Sequence, residues 1–171
     1  MTMTDLDAVA RVVDRILRAE RALDKCELSS ILVASGWESL SPSPSSPPVR
    51  LKHGEITAAI LADGDLPFVQ FIFHIVAFDT TEYQQALATH YGDEIPRARK
   101  IASYILSAIS DFEMEVSDGK AIESNISLVW AECRRIGSAY LTIGVEHVDP
   151  DDMPIFIMGR LRQRLRGSQH L

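Results

Sequence analysis

Apolar and polar positions recur with two different periods along this chain, and each change of period marks an element. From Thr4 onward, Leu6, Val9, Val13, Ile16 and Leu23 fall at helical spacing, with Arg11, Asp14, Arg15 and Arg18 largely on the other face. The pattern predicts an amphipathic helix to about Leu23, capped by Thr4 with Asp7 in the reciprocal position. A shorter helix is expected over 27–35, with Leu28, Ile31 and Leu32 on one side. Gly36 ends it as a residue that accepts positive φ, and Trp37 is expected to fold back onto the core. Residues 39–48, SLSPSPSSPP, carry neither period and read as a Pro/Ser-rich surface loop.

The longest apolar stretch is ITAAILADGDLPFVQFIFHIVAF, residues 56–78, broken by a single turn signal at Asp63-Gly64. It predicts a hairpin with arms Ile56–Ala62 and Phe68–Phe78. Val49–Lys52, turning at His53-Gly54, adds a third strand to make a meander. In the second arm Val69, Phe71, Phe73, Ile75 and Ala77 point one way; Phe68, Ile72, Val76 and Phe78 point the other. His74 falls with Ile72 and Val76. A strand apolar on both faces must be covered on both.

Asp79 and Glu82 then signal a helix through Tyr83, Leu87 and Tyr91 to Gly92, and Pro96 opens another. The second carries an apolar stripe of Ala98, Ile101, Ala102, Ile105, Leu106 and Ile109. Phe112–Val116 alternates apolar and acidic residues, as a half-exposed strand does, and Asp118-Gly119 ends it. Ile126–Ile136 and Ala139–Val148 form a second hairpin about Gly137-Ser138. Asp149-Pro150-Asp151-Asp152 is expected to start a last helix, with Ile155, Phe156, Met158, Leu161 and Leu165 inward. Arg160, Arg162, Arg164 and Arg166 would then lie near its C-terminus. The predicted fold is α+β, one domain over 1–171. Its antiparallel sheet is built from two meanders with flanking helices, in the order α-α-βββ-α-α-βββ-α.

Composition changes this picture little. The chain has 171 residues, 46% of them apolar, enough for a core in one domain. Cys26 and Cys133 form no CxxC or Cys/His cluster, which argues against a disulfide framework or zinc and fits a reducing cytoplasm. The N-terminus has no signal-peptide pattern, and the apolar run at 66–78 is too short to span a bilayer as a helix. Charge changes it more. Residues 61–159 hold 16 acidic and 6 basic side chains, whereas residues 160–171 hold 4 basic and no acidic ones. So acidic a middle repels nucleic acid and favours a basic protein partner; the plainer reading is charge that only keeps the chain soluble.

Candidate chemistry is sparse. None of His53, His74, His90, His147 and His170 stands at metal-ligand spacing to another ligand. His74 reads first as a hydrogen-bonded core residue, and Cys133, in a strand between Glu132 and Arg134, as a small buried one. Acids are paired at Asp63/Asp65, Asp93/Glu94, Glu113/Glu115 and Asp149/Asp151/Asp152. Glu113 and Glu115 would share a strand face, the arrangement a carboxylate pair uses, although a solvated face explains them as well. No phosphate loop, nucleophile elbow or HExxH helix is present. No catalytic residue, metal or cofactor is expected, and elimination leaves a binding protein.

A leading helix, the Gly36-Trp37 element, a meander, a helical segment, a second antiparallel set and a closing helix resemble the secretion-chaperone-like (YbjN-type) domains. The layout is also similar to small actinobacterial proteins encoded beside polymorphic toxins, which act as immunity proteins. That resemblance implies a non-catalytic, cytoplasmic, bacterial protein whose partner is a cognate toxin or a secreted substrate, acting as monomer or homodimer. No catalytic residue is carried over. The Pro/Ser-rich insertion and the helix around 95–110 depart from the minimal pattern. The residues expected to meet the partner are Asp93, Glu94, Glu113, Glu115 and Asp118, at helix and strand ends. The competing readings are a chaperone that takes apolar peptides on an uncovered sheet face, and a small hydrolase using an acid pair.

Overall fold

The computed structural model describes residues 1–42, 48–64, 66–76, 83–123, 127–147 and 155–164, with Asp63 and residues 83–90 described by backbone alone. The elements run α1 (Met3–Arg18), α2 (Lys25–Ala34), β1 (Glu38–Ser39), β2 (Val49–His53), β3 (Ile56–Asp63), β4 (Leu66–Val76) and α3 (Tyr83–Ala108). They continue with β5 (Glu115–Ser117), α4 (Gly119–Ile122), β6 (Leu128–Ile136), β7 (Ala139–His147) and β8 (Ile155–Gln163). The strands form a single sheet in the order β1-β2-β3-β4-β8-β7-β6-β5, and every pair is antiparallel. The α+β class follows directly. Both hairpin turns expected from the sequence are present, with Gly64 at φ 72° and Gly137 at φ 59°.

One sheet face is packed against helices. Leu51, Ile60, Phe71, Ile143 and Ile157 from five strands share a core with Val9 and Val13 of α1, Leu28 and Leu32 of α2, and Ile101 and Ile105 of α3. Each such side chain contributes about 1.5–3 kcal/mol on burial, so this layer holds the domain together. Gly36, at φ 91°, closes α2: its N–H donates to the Val33 carbonyl and that of Trp37 to Leu32. Trp37 thereby turns back into the core against Phe71, at 5.6 Å between ring centroids. The opposite face is covered in part by α4. A Cβ on Gly119 would stand 3.2 Å from Ala131 Cβ and 3.4 Å from Cys133 Cβ, so the short helix lies close on β6.

The element order differs from the sequence expectation in several places. The stretch expected as a last helix is the central strand β8, paired with β4 on one side and β7 on the other. Its run IFIMGRLRQ alternates Ile155, Ile157 and Leu161 toward the helices with Met158, Arg160 and Arg162 on the other face. Ile155, Met158 and Leu161 also fit a spacing of three, so over nine residues both periods match, and the need of β4 for a second neighbour decides it. The expected helix start at 149–152 lies outside the described residues. The two helices expected on either side of Gly92 are one, α3, with Pro96 inside it. Its stripe of Ala98, Ile101, Ala102, Ile105 and Ile109 is buried on α1 and β7, and that packing outweighs the weak turn.

Helix α1 is capped by Thr2, not Thr4: Thr2 Oγ1 accepts the Asp5 N–H at 3.3 Å, and Asp5 Oδ2 accepts the Thr2 N–H at 2.8 Å. Asp7, the expected partner of Thr4, instead accepts a hydrogen bond from the Tyr104 hydroxyl of α3. The helix ends at Arg18, before Leu23, because Glu20 takes φ 52°. The acidic strand shortens to Glu115–Ser117, and α4 and the two-residue β1 are additional elements.

A bulge re-aims the end of β4. Ile72 pairs with Met158 but His74 with Ile157, so Phe73 is the extra residue. Beyond it the faces exchange. His74 and Val76 turn to the helical side, and Ile75 turns outward, 52% exposed. Phe73 stays in the core, its ring crossing β8 where a Cβ on Gly159 would lie 3.0 Å away.

Candidate functional site

The five acids expected to meet a partner fall into two groups. Asp93 and Glu94 sit within α3, while Glu113, Glu115 and Asp118 follow it. The fourteen helical residues between Glu94 and Ala108 span about 21 Å, so the groups are not one patch. Asp93 is exposed. Glu94 is 3% exposed and presents no charge to solvent. Its Oε1 lies 3.3 Å from Arg97 Nη1, and its Oε2, 3.8 Å from His74 Nε2, has no hydrogen-bond partner among the described residues.

The second group gathers at one end of the sheet. Among the described residues strand β5 is an edge strand, hydrogen-bonded to β6 alone through the pairs Glu115–Arg135, Val116–Arg134 and Ser117–Cys133. Val116, at its centre, is the most exposed large apolar side chain described, at 80%. Glu113 stands before the strand and Asp118 after it, both exposed. Glu115 lies 3.7 Å from Arg135, and since both are exposed this pair neutralises little charge. Asp118 Oδ1 accepts the Lys120 N–H at 3.0 Å and so caps α4.

Beside this edge opens a cleft of about 480 Å³. Its walls are the end of α1, the 20–22 connection, Phe112-Glu113 and the β6–β7 turn. Gln163 braces it from β8, accepting the Leu23 N–H at 2.8 Å and donating to the carbonyls of Leu23 and Pro67 at 3.1 Å. The Arg164 N–H donates to the Ser138 carbonyl at 2.9 Å and fixes the turn. Arg18 ties α1 to Asp111 at 2.6 Å, and its guanidinium holds the Asp111 carboxyl below the ordinary range.

Behind the edge, on the sheet face away from α1–α3, lies a buried charge cluster. Arg160 donates to Glu123 at 3.1 Å, to Glu146 at 2.7 Å and to Gln70 at 2.8 Å. Arg162 donates through Nη2 to Glu123 at 2.8 Å and lies 4.0 Å above the Phe68 ring. Glu123 is 1% exposed and immediately follows α4. Its carboxylate therefore clamps the α4 segment, with Asp118 at its start, onto β8. Two arginines and two glutamates balance, which is the condition for burying charge.

Two of the candidate groups, Cys133 and the Glu113/Glu115 pair, are not arranged for the chemistry considered for them. Cys133 is buried beneath α4, accepts a hydrogen bond from Thr142 Oγ1 at 3.3 Å, and has its pKa pushed up by burial; a thiol so placed is no nucleophile. Glu113 and Glu115 do not share a strand face, because the strand begins only at Glu115. Among the described residues no group of three or more His, Cys, Asp or Glu is disposed to hold a metal ion. No described helix is long and apolar enough to cross a membrane.

Comparison of the chain with models of protein families, with curated proteins and with solved structures finds no match. Sequence reading singled out Glu113, Glu115 and Asp118 but missed Val116, Glu20 and Glu123. Val116 looked like one of three inward positions of a five-residue strand, with Phe112 and Met114. Nothing in the sequence brings Glu123 to Arg160. Glu20 was hidden because the apolar pattern runs on to Leu23, five residues past the end of α1 at Arg18.

Proposed function

We propose that this chain is a non-catalytic protein-binding protein of the immunity type, which blocks a cognate toxin by covering it. The observation that carries this reading is the β5 edge, where exposed Val116 lies along the chain between the exposed acids Glu113 and Glu115 on one side and Asp118 on the other. Complementary charge speeds encounter with a basic surface, and a desolvated apolar anchor slows release. A strand edge also offers unpaired backbone groups to a partner. Glutamates on a short edge protect it against copies of itself, and the same charges attract a basic partner, so both roles are compatible. The Glu123 clamp supports the reading, because it holds the Asp118 end of the patch rigid before binding.

The test is capture from the native host, followed by association kinetics of the captured protein at low and high salt. Glu115→Lys/Asp118→Lys should slow association about tenfold and flatten its salt dependence. Glu115 is exposed and its replacement should barely move the melting temperature, whereas Asp118→Lys also removes the cap of α4 and should cost about 0.5–2 kcal/mol. Unchanged kinetics in the double variant, or turnover of a small molecule by the purified chain, would overturn the proposal.

A second reading, a chaperone for apolar segments, rests on the outer face of β3 and β4. There Ile75 is exposed and Leu61 and Ile72 are half-buried. It predicts a homodimer that binds several unrelated peptides and is unaffected by charge reversal at β5.

A further inference from the structure

The cleft beside β5 has a charge and shape of its own. Its floor is apolar, formed by Ile16, Leu17, Phe112, Ile136 and Ala139, and its rim carries Glu20 and Glu113. Two arginines also line it, yet both are engaged elsewhere. Arg21 donates to the Glu27 carboxylate at 3.1 and 2.5 Å, holding that group down to about 2. The Arg164 guanidinium lies 4.6 Å over the Tyr140 ring. The side-chain carboxylates of Glu20 and Glu113, by contrast, make no hydrogen bond or ion pair among the described residues. Arg164 keeps its charge over the Tyr140 ring, so once Arg21 is paired with Glu27 the two carboxylates outweigh one guanidinium and the cleft is left with a net negative charge of one. The C-terminal end of α1 adds to it, since the last carbonyls of a helix carry partial negative charge.

Glu20 supplies a separate observation. It is the only non-glycine residue described with positive φ, at 52°, and it occupies the position after the helix cap where glycine is the unstrained choice. The chain accepts strain there and gains a carboxylate at the rim. Strain of this kind concentrates where side chains meet ligands.

We propose that this cleft receives one arginine or lysine side chain projecting from the partner protein. The stem would lie on the apolar floor and the charged head between Glu20 and Glu113. The inference rests on the protein-binding reading above and deepens it, because Glu113 belongs to both surfaces. A volume of about 480 Å³ admits a long side chain with the backbone that bears it, and the apolar floor with an anionic rim matches the two ends of that side chain. A free acidic peptide would meet only repulsion.

The probe is the blocked tripeptide acetyl-Gly-Arg-Gly-amide, titrated into the isotope-labelled full chain and followed by amide chemical shifts. Peptides with norleucine or glutamate in place of arginine serve as controls. Saturable shifts at Leu17, Ala22, Gly137 and Ala139 are expected, with a Kd on the order of millimolar for so small a ligand. Glu20→Gln and Glu113→Gln should each weaken binding about fivefold, and norleucine should bind far less well. Glu20→Gly separates ligand binding from structure. It should raise the melting temperature by about 2–4 °C through relief of strain, yet weaken the arginine peptide as Glu20→Gln does. Absence of saturable shifts, equal binding of arginine and norleucine, or full binding by Glu20→Gly would each overturn the assignment. The titration decides the cleft by itself, whereas capture of a partner depends on Glu115 and Asp118, which lie outside it.

Discussion

Asp5 shows how one side chain is fixed from several directions. Its carboxylate caps α1 through Thr2, stands 3.4 Å from His53 Nδ1 without hydrogen-bond alignment, and fills the space where a Cβ on Gly54 would come within 2.1 Å. The Thr2 N–H, with lesser help from His53, draws its pKa below the ordinary aspartate value despite burial. A carboxyl depressed in the folded state stabilises fully above its unfolded value and loses that contribution as pH falls through the folded one. Asp5→Asn should therefore cost stability at neutral pH but lose less than the parent as the solution is taken below about pH 4, read from urea midpoints at each pH. Glu123 makes a larger claim. Removing its carboxylate leaves Arg160 with a single anionic partner in the interior, so Glu123→Ala should destabilise by about 3–5 kcal/mol in urea unfolding. An exposed acid such as Glu113 should cost less than about 0.5 kcal/mol when similarly truncated.

Among the elements, α3 makes the sharpest prediction. Pro96 removes one hydrogen bond to the carbonyl four residues back, which belongs to Gly92, so the two weakest helix formers fall on a single turn. Pro96 is exposed, and Pro96→Ala should raise stability by about 1–3 kcal/mol, visible as a higher thermal midpoint. The same turn explains why periodicity divided the helix: local propensity argued for a break, and burial of Ala98, Ile101 and Ile105 argued against one. Hairpins were legible because their turns carry Gly64 and Gly137 with strands of clear period on each side. The bulge at Phe73 was not, since it appears only through pairing with β8. Strand β8 itself was hidden because its residues satisfy both periods and its partners lie far away in sequence.

At the scale of the whole molecule, the sequence showed an acidic middle and a basic tail, while the fold decides which charges remain available. Arg160 and Arg162 are consumed inside by Glu123 and Glu146, and Glu94 is buried, so three of the five expected contact acids share one end of the sheet. That sharing was half legible: the alternation at 112–116 pointed to an exposed acidic strand, but only the strand order makes it an edge. The same order has a further implication. Phe68 pairs with Arg162, so the most apolar strand gains its second neighbour from residues that a ribosome makes much later. A nascent chain released before β8 would carry β4 bare along one side, ready to pair with any other exposed strand. Birth of this protein thus includes an interval in which its central strand needs shelter, and that interval closes only when the two halves of the sheet are zipped together by their last shared strand.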